Sequence, residues 1–376
     1  MIFLLIVLLY FFLVSISSME TAFKCFGAGF SQKLFALTSN PFVGLFVGIL
    51  ATSLIQSSSA TTSLVVVLVS SGVLDVANAV PVIMGTNIGT SVTNTLVSIG
   101  HITRAVEFRR AFAAATVHDF FNLFSVAVFL PIEMYTGYLQ KTAIWFAGLL
   151  THAHGVTYTS PVKAITKPAV LVVYKGLQSV LDHPWAGIIF LALGLVVLFL
   201  SLWGIARIMR TLMMDRVAVV FDHFLGKSAL ACMAVGAICT AIVQSSSITT
   251  SLLVPLAGAG IVRLRTIFPI TLGSNVGTTV TALLAAMATG AVAGQGPAGL
   301  IIALCHLFFN VSGILLIYPI PAIRKIPLGL ARGLGRLVSQ HRAYAFVYVA
   351  VVFFLLPLAL IGLTNAQGLA RLLGLG

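Results

Sequence analysis

Apolar residues run in long blocks along this chain, near residues 2–19, 41–70, 79–99, 111–131 and 143–150, and again near 185–206, 228–259, 266–288, 297–320 and 344–363. Blocks of this length predict helices, and about 20 apolar residues suffice for one helix to cross the roughly 30 Å hydrocarbon layer of a bilayer. The blocks give room for roughly eight to twelve crossings or half-crossings. Two of them, 41–70 and 228–259, are interrupted in the middle by polar runs, Gln56-Ser57-Ser58-Ser59 and Gln244-Ser245-Ser246-Ser247. Each predicts a hairpin or a broken helix. Lipid cannot satisfy the backbone groups freed at a break, so irregular backbone at membrane depth survives only inside protein or beside a wet cavity. The serines therefore mark a cavity.

The two runs are one motif written twice. Gln56 to Ser63 returns as Gln244 to Ser251, an offset of 244 − 56 = 188 residues. The register then holds at Gly72 and Gly260, at Pro81 and Pro269, at His118 and His306, and at Asn122 and Asn310. It also matches Gly85-Thr86-Asn87-Ile88-Gly89-Thr90 to Gly273-Ser274-Asn275-Val276-Gly277-Thr278. Helix packing alone explains Ser and Thr in membrane helices, at about 0.6 kcal/mol per interhelical hydrogen bond. It does not require the same Gln, three Ser, Asn and His at matched places. Duplicated polar motifs predict two half-sites that face one another, as in many secondary transporters. The expected fold is an all-α polytopic membrane protein with two inverted-topology repeats and broken or re-entrant helical hairpins. Residues 1–135 would form the first repeat, 136–184 a linker with amphipathic or short helices, 185–320 the second repeat, and 321–376 a basic loop and a C-terminal transmembrane helix.

Composition agrees with a bilayer. The chain is 59% hydrophobic and 8% charged, with a mean hydropathy of +1.11, whereas about a quarter of the residues of a soluble domain are charged. The excess of 21 basic over 8 acidic residues sits in short runs between the blocks, which fits anionic lipid rather than nucleic acid. Nearly every loop is basic, so charge bias does not orient the chain. The opening block lacks a basic n-region and a small-residue cleavage site and reads as a first transmembrane helix rather than a signal peptide. Cys25, Cys232, Cys239 and Cys305 have no metal-type spacing and read as small buried residues. His152-Ala153-His154 reads as a solvated loop rather than a metal pair.

The candidate chemistry lies in the repeated motifs. Hard cations take carbonyl, hydroxyl and carboxylate oxygens. Helix N-termini offer free N–H groups and partial positive charge to phosphate-like anions. Ser-Ser-Ser at a helix break supplies hydroxyls and such a nest. The glycine runs around Asn87 and Asn275 permit either a kink with close backbone approach to a ligand or a glycine-mediated helix contact. Neither is a nucleotide-binding loop, since no Gly-Lys-Ser/Thr follows. Asp119 is the one carboxylate well inside a predicted span and marks a functional site; its repeat mate is Leu307, so an additional cation would bind in one half only. His118, His306, Asn122 and Asn310 read equally as ligands or as packing hydrogen-bonders.

The two Gln-Ser-Ser-Ser motifs, the paired Gly-x-Asn-x-Gly-Thr runs and the stretch Glu107-Phe108-Arg109-Arg110-Ala111-Phe112 through His118-Asp119-Phe120-Phe121-Asn122 together resemble the type II sodium-dependent phosphate cotransporter family, over most of the chain. The short, cysteine-free linker resembles a bacterial homologue. The resemblance implies sodium-driven import of inorganic phosphate by alternating access at the plasma (inner) membrane, with no cofactor and with sodium as co-substrate. It places phosphate at Gln56, Ser57, Ser58, Ser59, Gln244, Ser245, Ser246 and Ser247, with Arg104 facing it. It places sodium at Thr95, Asn122, Ser274 and Thr278, with Asp119 and Ser91 nearby. Asn87, Thr90, Asn275, His118, His306 and Asn310 support the site. Ala113, Ala115 and Asp119 match the pattern of members that move net charge, so transport is expected to be electrogenic. Thr103 stands where the family has an acid. The competing expectations are a passive ion channel and an intramembrane serine hydrolase using a motif serine with His118 or His306.

Overall fold

The computed structural model describes residues 2–25, 39–152, 161–224, 228–289 and 297–364, and these contain helices but no strand. The first half holds α1 (Ile2–Cys25), α2 (Pro41–Ile55), α3 (Ser58–Ser70), α4 (Val76–Gly89), α5 (Val92–Ile99) and α6 (Ala105–Thr136). Between the halves lie α7 (Tyr138–His152) and α8 (Pro161–Gln178). The second half holds α9 (His183–Phe224), α10 (Ala229–Val243), α11 (Ser246–Ser251), α12 (Leu253–Gly258), α13 (Leu264–Thr289) and α14 (Ala298–Ile317). The chain continues through α15 (Pro321–Gln340), α16 (Ala343–Ala350), a π-helical turn (Val351–Leu355) and α17 (Leu356–Thr364). His154 and the last part of the C-terminal segment lie outside the described residues.

Among the described residues, five helical stretches are long and apolar enough to cross a membrane: Ala105–Thr136, Trp185–Ile205, Leu264–Thr289, Ala298–Ile317 and Ala343–Thr364. The arms of the interrupted blocks are shorter. At 1.5 Å per residue the 15 residues of α2 reach about 22 Å, less than a full crossing.

Glycine contacts fix how these arms run. In α2 and α4, Gly44 lies against Asn78 and Pro81, Gly48 against Val82 and Gly85, and Gly89 against Ile49 and Thr52. Both numbers rise together, so the two helices are parallel and start at the same end of the bundle. Because α3 connects to the start of α4 through the short turn 71–75, it must return to the end from which α2 set out. The interrupted block is a hairpin. The second half repeats the geometry at the same offset: Gly273 lies against Met233, Gly236 against Ile270 and Ser274, and Gly277 against Ala237 and Thr240. The turns that lead out of the two hairpins use matched glycines in the left-handed region, Gly72 at φ 75° and Gly260 at φ 80°, where a Cβ would be strained.

The hairpins open toward opposite ends. With 26 residues, α13 spans about 39 Å and connects both ends of the bundle. At its N-terminal end the second hairpin's exit turn meets the start of α6, with the Arg110 guanidinium against Gly260. At its C-terminal end it meets the first hairpin's exit turn, where the Ser70 hydroxyl donates to Thr289 Oγ1 at 2.9 Å. This is the relation an inverted repeat requires. The main apolar core joins both halves through Phe12, Val66, Ile83, Phe129, Ala285 and Phe309. Large exposed apolar side chains such as Phe3, Leu54, Trp185, Trp203 and Leu230 face outward, as expected of a lipid-contacting surface.

Two expectations need correction. In the second half the glycine run does not unwind a helix, since α13 passes through Gly273 to Thr278 without a break, whereas in the first half α4 ends at Gly89 and helix resumes at Val92; in both halves the glycines seat the neighbouring hairpin arm. Residues 321–340, expected as a basic loop, form α15, because Leu328, Ala331, Gly335 and Val338 recur at helical spacing and are buried, leaving the charges on the other side.

Candidate functional site

Each Gln-Ser-Ser-Ser motif folds the same way. The glutamine ends the first arm in the left-handed region, at φ 55° for Gln56 and φ 57° for Gln244, and these are the only non-glycine residues with positive φ among those described. That conformation costs a non-glycine residue roughly 1–2 kcal/mol, so the break is imposed by its surroundings. The next residue caps the second arm: Ser57 Oγ accepts from Ala60 N at 3.2 Å and Ser245 Oγ accepts from Ile248 N at 3.3 Å. Each capping hydroxyl still has a proton to donate. Ser58, Ser59 and Ser246 are buried, Ser57, Gln244, Ser245 and Ser247 are half-buried, and Gln56 is exposed.

The two motifs touch. Ser59 Oγ donates to the Gln244 backbone carbonyl at 3.1 Å. Thr281 Oγ1 lies 3.4 Å from Ser59 Oγ and donates to Gln244 Oε1 at 2.7 Å. On the next turn Thr250 donates to Asn94 Oδ1 at 3.0 Å.

Beside them a polar network crosses between the halves. His118 Nε2 bonds Asn275 Oδ1, and His306 Nε2 bonds Asn87 Oδ1 at 3.4 Å. Each half thus gives its histidine to the other half's asparagine. Asn275 donates to Asn122 Oδ1 at 2.9 Å, Asn122 donates to the Asn87 carbonyl at 2.8 Å, and Ser91 Oγ lies 3.3 Å from His118 Nδ1. Nearby, Ser125 lies against Gly313, its own mate at 313 − 125 = 188.

The halves differ in what is left unsatisfied. Thr52, Thr62, Ser63 and Thr93 have buried hydroxyls with no hydrogen-bond partner. Their mates Thr240, Thr250, Ser251 and Thr281 all have one. One cause is visible: Thr250 uses Asn94, whose own mate is Ala282, so Thr62 finds no amide. Asp119 lies in the same first half, fully buried. Its Oδ2 accepts from the Tyr348 hydroxyl at 2.7 Å, Oδ1 has no partner, and Ser91 lies beside the carboxyl group. Buried oxygens without donors are the kind of group a desolvated cation would coordinate.

The remaining candidates fall in or beside this region, with one exception. Ser274 bonds Thr240 at 2.7 Å, Thr278 donates to the Ser274 carbonyl at 3.1 Å, Thr95 donates to the Ser91 carbonyl at 3.1 Å, and Thr90 donates to the Thr86 carbonyl at 2.8 Å. Asn310 donates to the His306 carbonyl at 2.9 Å and keeps a free buried Oδ1. Arg104 does not join them: its guanidinium is exposed at the start of α6 and pairs with Glu107 at 2.8 Å. Tyr348, Asn94 and Thr281 were not singled out in the sequence. Thr281 carries the duplication signal, since its mate is Thr93, whereas Tyr348 has no counterpart in the first half.

A multi-pass helical membrane protein with paired, converging polar hairpins belongs to the architectural class of secondary carriers. The profile of the Na+/Pi-cotransporter family matches residues 11–152 and 197–318, and the chain belongs to this family. Sodium-dependent phosphate transport protein 2A of Rattus norvegicus is 36% identical over 437 residues, covering 98% of this chain and 68% of that protein. Sodium-dependent phosphate transport protein 2B of Homo sapiens is 36% identical over 456 residues, covering 98% of this chain and 66% of that protein. The chain therefore spans about two thirds of the length of these relatives. No solved structure matches it.

Proposed function

We propose that the chain is a sodium-coupled carrier that imports inorganic phosphate across the plasma (inner) membrane by alternating access, and that it moves net charge. The carrying observation is the contact of Ser59 with Gln244, which brings two anion-suited helix breaks from opposite halves to one place. Phosphate binds between Gln56, Ser57, Ser58 and Ser59 and Gln244, Ser245, Ser246 and Ser247, through serine hydroxyls and first-turn amides. Sodium binds beside it at Ser91, Thr95, Asn122, Ser274 and Thr278, and an additional ion binds at Asp119. The unsatisfied oxygens of the first half favour that half for the additional ion. The histidine–asparagine exchange is the joint on which one half moves against the other.

A sodium gradient and the membrane potential together supply the driving force, each net charge contributing about 2.3 kcal/mol per 100 mV. A serine hydrolase would need a base on a motif serine, yet the ring nitrogens of His118 bond Asn275 and Ser91, and His306 bonds Asn87.

The test is reconstitution in liposomes with an imposed sodium gradient and radiolabelled phosphate. Uptake should exceed the no-gradient level, saturate with phosphate, collapse when potassium replaces sodium, and resist excess sulfate. Equal flux with and without sodium, or flux too fast for a carrier, would point to a channel instead.

A further inference from the structure

At the open end of the second hairpin, six arginines line one cavity of about 620 Å³: Arg109 and Arg110 of α6, Arg263 and Arg265 at the start of α13, and Arg332 and Arg336 of α15. The cluster lies outside the buried motif network, and transport as proposed above makes no use of it.

Gathering six like charges costs folding energy unless something offsets their repulsion. No carboxylate among the described residues does so. None of the six pairs with an acid, and Glu107, the nearest acid in sequence to Arg109 and Arg110, is occupied by Arg104 at 2.8 Å and His101 at 3.3 Å. The fold nonetheless holds the arginines together. Gly335 of α15 packs against the Arg109 carbonyl and Ala113, and the Arg110 guanidinium rests on Gly260. The buried stripe of α15 thus places Arg332 and Arg336 over the same cavity.

Guanidinium groups present planar forks suited to phosphate oxygens. A phosphate monoester carries about −1.5 to −2 at neutral pH, so six arginines match roughly three such groups rather than one. The cavity is also the size of a site for an organic ligand, which is typically about 300–1,000 Å³, and not of a single inorganic anion.

We propose that this cavity is a binding site for an anion bearing several clustered phosphate groups, supplied either as a lipid headgroup or as a soluble polyphosphorylated molecule. Its walls come from the first half (α6), the second half (α13) and the C-terminal extension (α15), so an occupant fastens the two halves together at this end.

The experiment uses the full chain in neutral phosphatidylcholine nanodiscs and three probes. These are inositol hexakisphosphate in solution, phosphatidylinositol 4,5-bisphosphate added to the disc, and inorganic phosphate as the single-phosphate control. Binding is followed by calorimetry and by retained ligand in native mass spectrometry. Two double variants on different helices, Arg263→Gln with Arg265→Gln and Arg332→Gln with Arg336→Gln, guard against one failing to fold, and Lys141→Gln with Arg207→Gln serves as a remote basic control.

At least one multiphosphate probe should bind about tenfold or more tightly than inorganic phosphate, a difference of about 1.4 kcal/mol. Each double variant should lose most of that preference, and the control should keep it. Binding of the soluble probe identifies a free ligand, while binding of the lipid alone identifies a headgroup. Failure of both multiphosphate probes to outbind inorganic phosphate, or undiminished binding by the double variants, overturns the proposal. The readout is binding alone, so it can fail while sodium-driven phosphate uptake succeeds, or the reverse.

Discussion

Valine at position 273 should leave no folded protein. A Cβ at Gly273 would stand 1.8 Å from the Met233 carbonyl oxygen, and at Gly236 it would stand 2.0 Å from the Ile270 carbonyl oxygen. The matched positions of the first half are as tight, with Gly48 at 2.1 Å from the Val82 oxygen and Gly85 at 2.1 Å from the Leu45 oxygen. Every one of these neighbours is backbone, so no rotamer change can relieve the clash and the hairpin arm must move away from its partner. Overpacking a core typically costs about 1–3 kcal/mol, and a rigid backbone clash belongs at or above the top of that range. In detergent, Gly273→Val should run as aggregate in size-exclusion chromatography. Gly176→Val, where no described residue lies within 4 Å of the added Cβ, should elute and melt like the parent. A monodisperse Gly273→Val protein with an unchanged melting temperature would mean that the hairpin does not dock on α13 as described.

The second large effect is electrical. Asp119→Gly should remove the phosphate-evoked current while sodium-dependent uptake continues. The carboxylate is fully buried, accepts one hydrogen bond from Tyr348, and keeps Oδ1 free; its mate in the second half is Leu307. A desolvated anion in one half only is the natural seat for one extra cation. Its removal should make transport electroneutral and erase the voltage dependence of about 2.3 kcal/mol per charge per 100 mV. Current from a solid-supported membrane should fall to background, while radiolabelled uptake by the same preparation persists at zero potential. Tyr348→Phe, which deletes the single donor to Oδ2, should alter the sodium concentration for half-maximal current without abolishing it. An Asp119→Gly protein with undiminished current would assign charge movement elsewhere.

Much of this arrangement could be read from the sequence because it is written twice. The matched Gln-Ser-Ser-Ser breaks, the histidines and the asparagines all sit in the cross-half contacts or next to them. What stayed hidden was relational. Duplication cannot reveal that His118 meets Asn275 rather than its own half's Asn87, because the exchange depends on how the halves dock. Nor can it reveal that Thr62 lacks the amide Thr250 enjoys until Asn94 is known to be the partner. The glycine runs were ambiguous for a physical reason: a missing Cβ reports that something comes close, not whether it is ligand or backbone. The basic residues of α15 masked a helix whose buried stripe is made of small and aliphatic side chains. Tyr348 has no copy in the first half, and a lone tyrosine in an apolar segment carries no signal of the acid it will meet.

The most direct measurement is a cryo-electron microscopy map of the full chain in nanodiscs, prepared in sodium phosphate and, separately, in potassium chloride. A tetrahedral density between Gln56–Ser59 and Gln244–Ser247, present only with sodium phosphate, is the expected result. The two motifs lying apart with Ser59 facing lipid, or an anion density elsewhere in the membrane region, would contradict it.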